Sequence, residues 1–196
     1  MSDRIMNIGV LALQGAFAEH LQALSAIPGV RGREIRKRSD FHPDLSGLII
    51  PGGESTVMAK LLADLALLHP VAEAIRDGLP VFGTCAGLIL LARGVGEDAP
   101  PRIGQMDVAV RRNAYGRQLE SFAARADFAG RGEIPLVFIR APALTRIGGD
   151  VRVLAEVEGR PVAVRQKNML ATAFHPELTG DPSVHAYFAD MIAGRI

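Results

Sequence analysis

Apolar positions in this chain of 196 residues fall first into short unbroken runs, each followed by a helical stripe. "MNIGVLAL" is continuous enough for a strand buried on both faces, and after the turn "QGA" the residues Phe17, Leu21 and Leu24 recur at helical spacing. "LSGLIIPGG" repeats the arrangement. Its strand stops at Pro51-Gly52-Gly53, and from Ser55 a helix is predicted with Val57, Leu61, Leu62, Leu65 and Leu68 on its apolar face. "LPVFG" predicts a third strand, continued by a helix from Ala86 to Ala92. Strands alternating with helices through glycine turns predict an α/β layer sandwich around a mostly parallel sheet.

The pattern changes between Gln105 and about Phe174. Here "MDVAVRR", "LVFIRAP", "VRVLAEVEG", "PVAVRQ" and "MLATAF" read as strands separated by glycines, prolines and charged turns. They predict additional antiparallel strands or hairpins folded into the same domain. Asp181-Pro182 then opens a last helix, with Asp as N-cap and Pro in the first turn, and Val184, Tyr187, Phe188, Met191 and Ile192 on its stripe. No repeat, low-complexity segment or linker interrupts the chain, so residues 1–196 are expected to form a single domain.

Composition changes this picture little. With 48% hydrophobic and 22% charged residues and a formal net charge of +1, the chain can bury a core. The near-neutral balance gives no reason to expect nucleic acid or an anionic membrane as partner. The densest basic run, "RGREIRKR" from Arg31 to Arg38, reads as a solvated strand-and-loop edge, with a docking patch for something acidic as the alternative. "IGVLAL" is ended by Gln14 with no cleavage site behind it, so it is a strand rather than a signal peptide. No apolar stretch is long enough to span a bilayer. The lone cysteine excludes an intramolecular disulfide, and the expected location is the cytoplasm.

That cysteine carries the chemistry. "GTCAG" places Cys85 between two glycines at a strand-to-helix junction, the setting in which a G-x-S-x-G elbow projects a nucleophile. The helix N-terminus favours a thiolate, and the N–H of Ala86 is available to an oxyanion. The alternative is a buried cysteine behind a tight turn. A nucleophilic cysteine needs a base, and the base an orienting group. Of the five histidines, only His175 both follows an apolar strand and has a carboxylate two residues on, in "HPE". In extended chain positions i and i+2 share a side, so Glu177 is expected beside the ring. A metal site is poorly supported, since the histidines lack ligand spacing. "PGGES" lacks the lysine and spacing of a phosphate loop, but its glycines can present N–H groups to an oxygen.

Cys85 in "GTCAG" and His175 with Glu177 in "FHPE" resemble the class I, or triad, glutamine amidotransferases. "LALQGAFAEH", "PGGEST", "RRNAYGRQ", "FIRAP" and "AFHPEL" narrow the resemblance to the glutaminase subunits of pyridoxal 5'-phosphate synthase, over nearly the entire chain. The resemblance implies a flavodoxin-like, three-layer α/β fold. It implies attack by Cys85 on the side-chain amide of L-glutamine, a glutamyl thioester, and release of ammonia and glutamate without a cofactor. The ammonia would pass to a separate synthase subunit. It further implies that Gly52, Gly53 and Glu54 line the glutamine pocket, with Gly53 N–H serving the oxyanion, and that Arg112, Ile139 and Arg140 bind glutamine. Gln14 resembles a residue near the oxyanion region that responds to the partner. His20 resembles a position near the partner-facing side, with ordinary helix-surface packing as the alternative. Because glycine peptides reorient at low steric cost, glutamine hydrolysis is expected to depend on docking of the synthase.

Three other readings compete. The glutaminase subunit of another amidotransferase, such as imidazole glycerol phosphate synthase, would share the triad but not "LQGAFAEH" and "FIRAP". An autonomous cysteine hydrolase would need no partner, and an assembly module with a dead site would not need all three triad residues.

Overall fold

The unbroken apolar runs become the inner strands of a large sheet. The computed structural model describes residues 5–96, 101–112 and 121–196. Strand β1 (Met6–Leu11) leads into helix α1 (Phe17–Ser25), followed by β2 (Val30–Ile35), β3 (Gly47–Ile50) and α2 (Ser55–Asp64). Next come α3 (Leu68–Arg76), β4 (Val81–Thr84) and α4 (Ala86–Leu91). Strands β5 (Ala92–Val95), β6 (Met106–Arg111), β7 (Ser121–Asp127) and β8 (Glu133–Ile139) follow. After them lie β9 (Ala143–Ile147), β10 (Arg152–Val157), β11 (Arg160–Gln166) and β12 (Met169–Thr172), and last α5 (Ser183–Ile192).

Seven strands pair in the order β10-β11-β12-β4-β3-β1-β2. The five from β12 to β2 are parallel neighbours, while β11 and β10 extend one edge antiparallel. Two smaller sheets, β5-β6-β9 and the hairpin β7-β8, stand beside it. The mostly parallel α/β sheet with added antiparallel strands is therefore as expected.

Alternation along β4 shows how the layers are laid. Phe82 meets Phe188 of α5 at 5.7 Å and His20 of α1 at 6.0 Å between ring centroids, so α1 and α5 cover one face. Gly83 points to the other face, where α4 lies against it. The basic run forms the edge strand β2 and the turn after it, and Arg33 pairs with Asp44 at 2.9 Å. Charged side chains on an edge discourage further strand pairing.

Local predictions fail in identifiable places. The helix expected to run from Ser55 past Leu68 is two helices, and Val57 is 47% exposed, the buried stripe being Met58, Ala59 and Leu62. The break is a left-handed Ala66 (φ 52), where Leu67 N–H donates to Leu62 O and Ala66 N–H to Ala63 O. That pattern closes a helix C-terminus, usually on glycine. Asp181 does accept from Ser183 N–H at 2.8 Å, although regular helix begins only at Ser183. Strands β5, β7 and β9 were not anticipated.

Candidate active site

The loops that leave β1, β3, β4 and β12 all open at the carboxyl ends of parallel strands, where open α/β sheets bind ligands. Cys85 sits between β4 and α4 with φ 49 and ψ −96, left-handed backbone that costs a non-glycine residue about 1–3 kcal/mol. Its N–H donates to Thr172 O of β12 at 2.8 Å, and its carbonyl accepts from Ile89 N–H at 3.2 Å. The flanking glycines are explained by close approach. A Cβ on Gly83 would lie 2.7 Å from the Gly87 carbonyl carbon, and one on Gly87 would lie 2.2 Å from Ile50 O of β3. Two hydrogens in place of methyl groups let α4 start flush against the sheet.

His175 follows β12, and its N–H donates to Val137 O of β8 at 2.8 Å. Glu177 Oε1 lies 2.8 Å from His175 Nδ1. The contact is the one expected, but the route differs: Pro176–Leu178 is a single 3-10 turn, not extended chain. Cys85, His175 and Glu177 are nearly buried, at 6%, 6% and 7% exposure. Burial opposes the imidazolium most strongly. Hydrogen bonds to Cys85 and Glu177, and electrostatic attraction to both, nevertheless raise His175 from its ordinary 6.5 to about 10. An imidazole held between a carboxylate and the cysteine sulfur in this way keeps its proton at rest.

Above the thiol lies a cavity of about 150 Å³ lined by Gly53, Glu54, Ser55, Cys85, Ile89, Arg112, Ile139, Arg140 and His175. That is below the ~300–1,000 Å³ of pockets for drug-sized ligands and suits a small polar molecule. The β7-β8 hairpin supplies its roof: the Cys85 thiol donates weakly to Ile139 O at 3.9 Å, and Arg140 has φ 45. Gly52 packs against the His175 ring, since a Cβ there would stand 2.3 Å from His175 Cε1. Gly52 O accepts from Ala16 N–H at 3.1 Å, and the Gln14 side-chain amide donates to Glu54 O at 3.0 Å. The two loops are thus tied together beside the thiol. Ala86 is buried at the first position of α4.

Glu54 has a local duty as well. Its carboxylate accepts from Thr56 N–H at 3.3 Å, from Val57 N–H at 3.0 Å and from the Thr56 hydroxyl, capping α2. Desolvation tends to raise it, but these bonds and the Arg112 charge hold Glu54 below its ordinary value. Arg112 is therefore near Glu54, while the rest of "RRNAYGRQ", residues 113–118, lies outside the described residues.

Two histidines behind Glu177 belong to the site's surroundings. His20 is fully buried, so the alternative of ordinary helix-surface packing does not describe it. Its Nδ1 lies 2.9 Å from His185 Nε2, and its Nε2 lies 3.2 Å from Thr84 Oγ1 and 3.5 Å from Glu177 Oε2. Burial, then the charges of His185 and His175, hold His20 well below its ordinary value, and burial lowers His185 to about 4. His185 was missed in the sequence. Its signal was its place beside Val184 on the apolar stripe of α5.

A larger cavity of about 870 Å³, lined by Met6, Pro28, Leu45, Pro80 and Ile192 among others, opens at the opposite ends of the strands, and no cysteine or histidine lines it. Among the described residues no group of three or more His, Cys, Asp or Glu could hold a metal, and no helix is long and apolar enough to cross a membrane.

Residues 10–194 match the family model described as the SNO glutamine amidotransferase family. The pyridoxal 5'-phosphate synthase subunit PdxT of Streptococcus pneumoniae (strain CGSP14) is 55% identical over 189 residues, 95% of this chain and 97% of that protein. The subunit of the same name from Methanocorpusculum labreanum is 57% identical over 189 residues, 96% of this chain and 99% of its own. A crystal structure described as a glutamine amidotransferase has a TM-score of 0.90 at 45% identity, covering 95% of this chain and 98% of that one.

Proposed function

The chain belongs to the SNO glutamine amidotransferase family, and on that premise we propose that it is the glutaminase subunit of a pyridoxal 5'-phosphate synthase. It acts as one amidotransferase unit in the cytoplasm, a reducing compartment where a lone thiol stays free. The observation that carries the reading is the left-handed Cys85 elbow set against a His175–Glu177 pair at 2.8 Å.

Cys85 attacks the side-chain amide carbon of L-glutamine as a thiolate paired with the His175 imidazolium. The carbonyl π electrons move onto oxygen, and N–H groups of Gly53 and Ala86 stabilise that oxyanion. As the intermediate collapses, the C–N bond breaks and His175 gives its proton to the leaving ammonia. A glutamyl thioester remains. His175, now neutral, takes a proton from water as the water attacks the thioester, and C–S cleavage returns the thiolate and glutamate. Glu177 orients the ring and stabilises its charged form without itself taking the proton. Gly52 keeps the base uncrowded, and Glu54, Ile139 and Arg140 shape the glutamine pocket. Arg112 offers a guanidinium to the substrate α-carboxylate, directly or through water. No cofactor enters these steps.

Ammonia passes to the synthase subunit, and docking there sets the rate. Gln14 links the first loop to the Gly52–Gly53–Glu54 loop, so a partner that moved one would move the other. One oxyanion donor is worth about 10²–10³ in rate, enough to keep the free subunit nearly silent. The test is steady-state glutamate release by the isolated chain and by its mixture with the cognate synthase. A strong rise on mixing is expected. Full activity in isolation would make the chain an autonomous hydrolase, and no glutamate in either case would end the reading.

A further inference from the structure

The triad leaves one atom of Glu177 unassigned. Oε1 is taken by His175, whereas Oε2 is buried without a hydrogen bond of ordinary length. Among the described residues the only other such buried side-chain atom is His185 Nδ1. The two mark the ends of one chain of contacts: His185 Nε2 to His20 Nδ1 at 2.9 Å, then His20 Nε2 towards Thr84 Oγ1 at 3.2 Å and Glu177 Oε2 at 3.5 Å. A buried carboxylate oxygen with no donor is costly, while an unprotonated ring nitrogen with no donor is a weaker loss.

This geometry decides the proton positions. If His20 carried its proton on Nδ1, its Nε2 lone pair would accept from the Thr84 hydroxyl, but Glu177 Oε2 would be left without a donor and His185 would bury an unpaired Nδ1–H. If His20 carries it on Nε2, that N–H is shared between Thr84 Oγ1 and Glu177 Oε2. His185 then donates from Nε2 to His20 Nδ1, and only its Nδ1 lone pair is left over. Only the second arrangement gives Oε2 a donor and leaves no N–H of the two rings buried without a partner.

We propose that His20 is a positioning residue for the glutaminase reaction, donating from Nε2 to the free oxygen of Glu177, and that His185 fixes the tautomer in which it can do so. The inference rests on the triad reading above and extends it by one step, Cys85–His175–Glu177–His20–His185. Both outer rings are neutral at working pH, since burial disfavours their charged forms. They supply donors without a competing positive charge that would draw Glu177 away from His175. The groups facing His20 are His185 from α5, Thr84 from β4, and Glu177 and His175 from the chain after β12. Phe82 closes the remaining side, edge-on to both outer rings.

Two measurements test this. Two-bond ¹⁵N–¹H correlation of ¹⁵N-histidine protein at neutral pH should show His20 and His185 both protonated at Nε2. His20 protonated at Nδ1 would overturn the proposal, and this reading needs neither a variant nor a glutaminase assay. The second compares His20→Gln, whose amide can reach the Nε2 position, with His20→Asn, whose amide reaches only the Nδ1 position. In the complex with synthase, His20→Asn should lower kcat about tenfold to a hundredfold, the range for lost outer partners of functional histidines at metal sites. KM for glutamine should stay unchanged and the alkaline limb of the rate should move to lower pH, with His20→Gln restoring most of both. Equal behaviour of the two variants, or an unmoved pH profile, would show packing alone. Absence of glutamine hydrolysis by the wild-type complex would instead defeat the triad reading, leaving the tautomer result to stand by itself.

Discussion

His175 and His185 are both almost entirely enclosed, yet the protein treats their protons in opposite ways. His175 lies between Cys85 and Glu177 and is raised to about 10, whereas His185, which among the described residues meets the neutral His20 ring and the edge of Phe82, falls to about 4. Desolvation pushes both the same way, against charge. What separates them is the pair of hydrogen bonds His175 makes to Cys85 and, at 2.8 Å, to Glu177, whereas the described surroundings of His185 hold neither a thiol nor a carboxylate. Burial supplies neutrality by default, and hydrogen bonds to Cys85 and Glu177 override it. One side of Glu177 thus faces a ring that carries a proton at neutral pH, and the other faces rings that stay neutral there.

The harshest way to break this contrast is to remove its reacting end. Cys85→Ala should lower glutamine hydrolysis by about 10⁶, and His175→Asn by a similar order, as for the nucleophile and base of other hydrolytic triads. Glutamate release with the synthase present checks both, and activity within tenfold of wild type in either variant would remove the assignment. Glu177→Gln should cost about 10⁴. It also removes the hydrogen bond and charge that keep His175 protonated. In the proposed mechanism turnover needs the imidazolium to protonate ammonia, so wild-type activity should fall as pH rises through about 10 and the variant's alkaline limb should lie lower. Gly52→Ala should cost at least about 10², because its methyl would displace the His175 ring and a shift of about 1 Å in a reacting group is worth that much. Rates of alkylation at the single thiol report that displacement independently of substrate binding.

The smallest expected effect concerns stability. A folded-state value of about 4 for His185, against an ordinary 6.5, means that the unfolded chain takes the proton first. Its contribution is therefore complete above about 6.5 and is lost as pH falls through about 4, worth about 3 kcal/mol over that window. Urea unfolding at a series of pH values should show this decline, and His185→Gln should flatten it. An equal slope in the variant would place the acid sensitivity elsewhere.

The Cys85–His175–Glu177 side of this contrast was legible in the sequence and the His20–His185 side was not. "GTCAG" and "FHPE" are local signals: a glycine-flanked thiol at an apolar run's end, and a histidine with a carboxylate two residues on. His20 and His185 are 165 residues apart and meet only because α1 and α5 cover the same face of the sheet, which no local spacing encodes. Similar reasons explain the errors of fold. Continuous apolar runs gave the inner strands, but Ser121–Asp127 alternates between exposed and half-buried positions and carries little apolar signal. Ala66 ends α2 in a conformation that usually advertises itself with glycine, so the sequence there reads as uninterrupted helix.

The central claim is that Cys85 is a nucleophile at the floor of a glutamine pocket. Mass spectrometry after exposure of the complex to a glutamine-like diazo-ketone tests it most directly. One covalent adduct should form, located at Cys85, slowed by free glutamine and absent from Cys85→Ala. No adduct, or an adduct that persists in Cys85→Ala, would contradict the account.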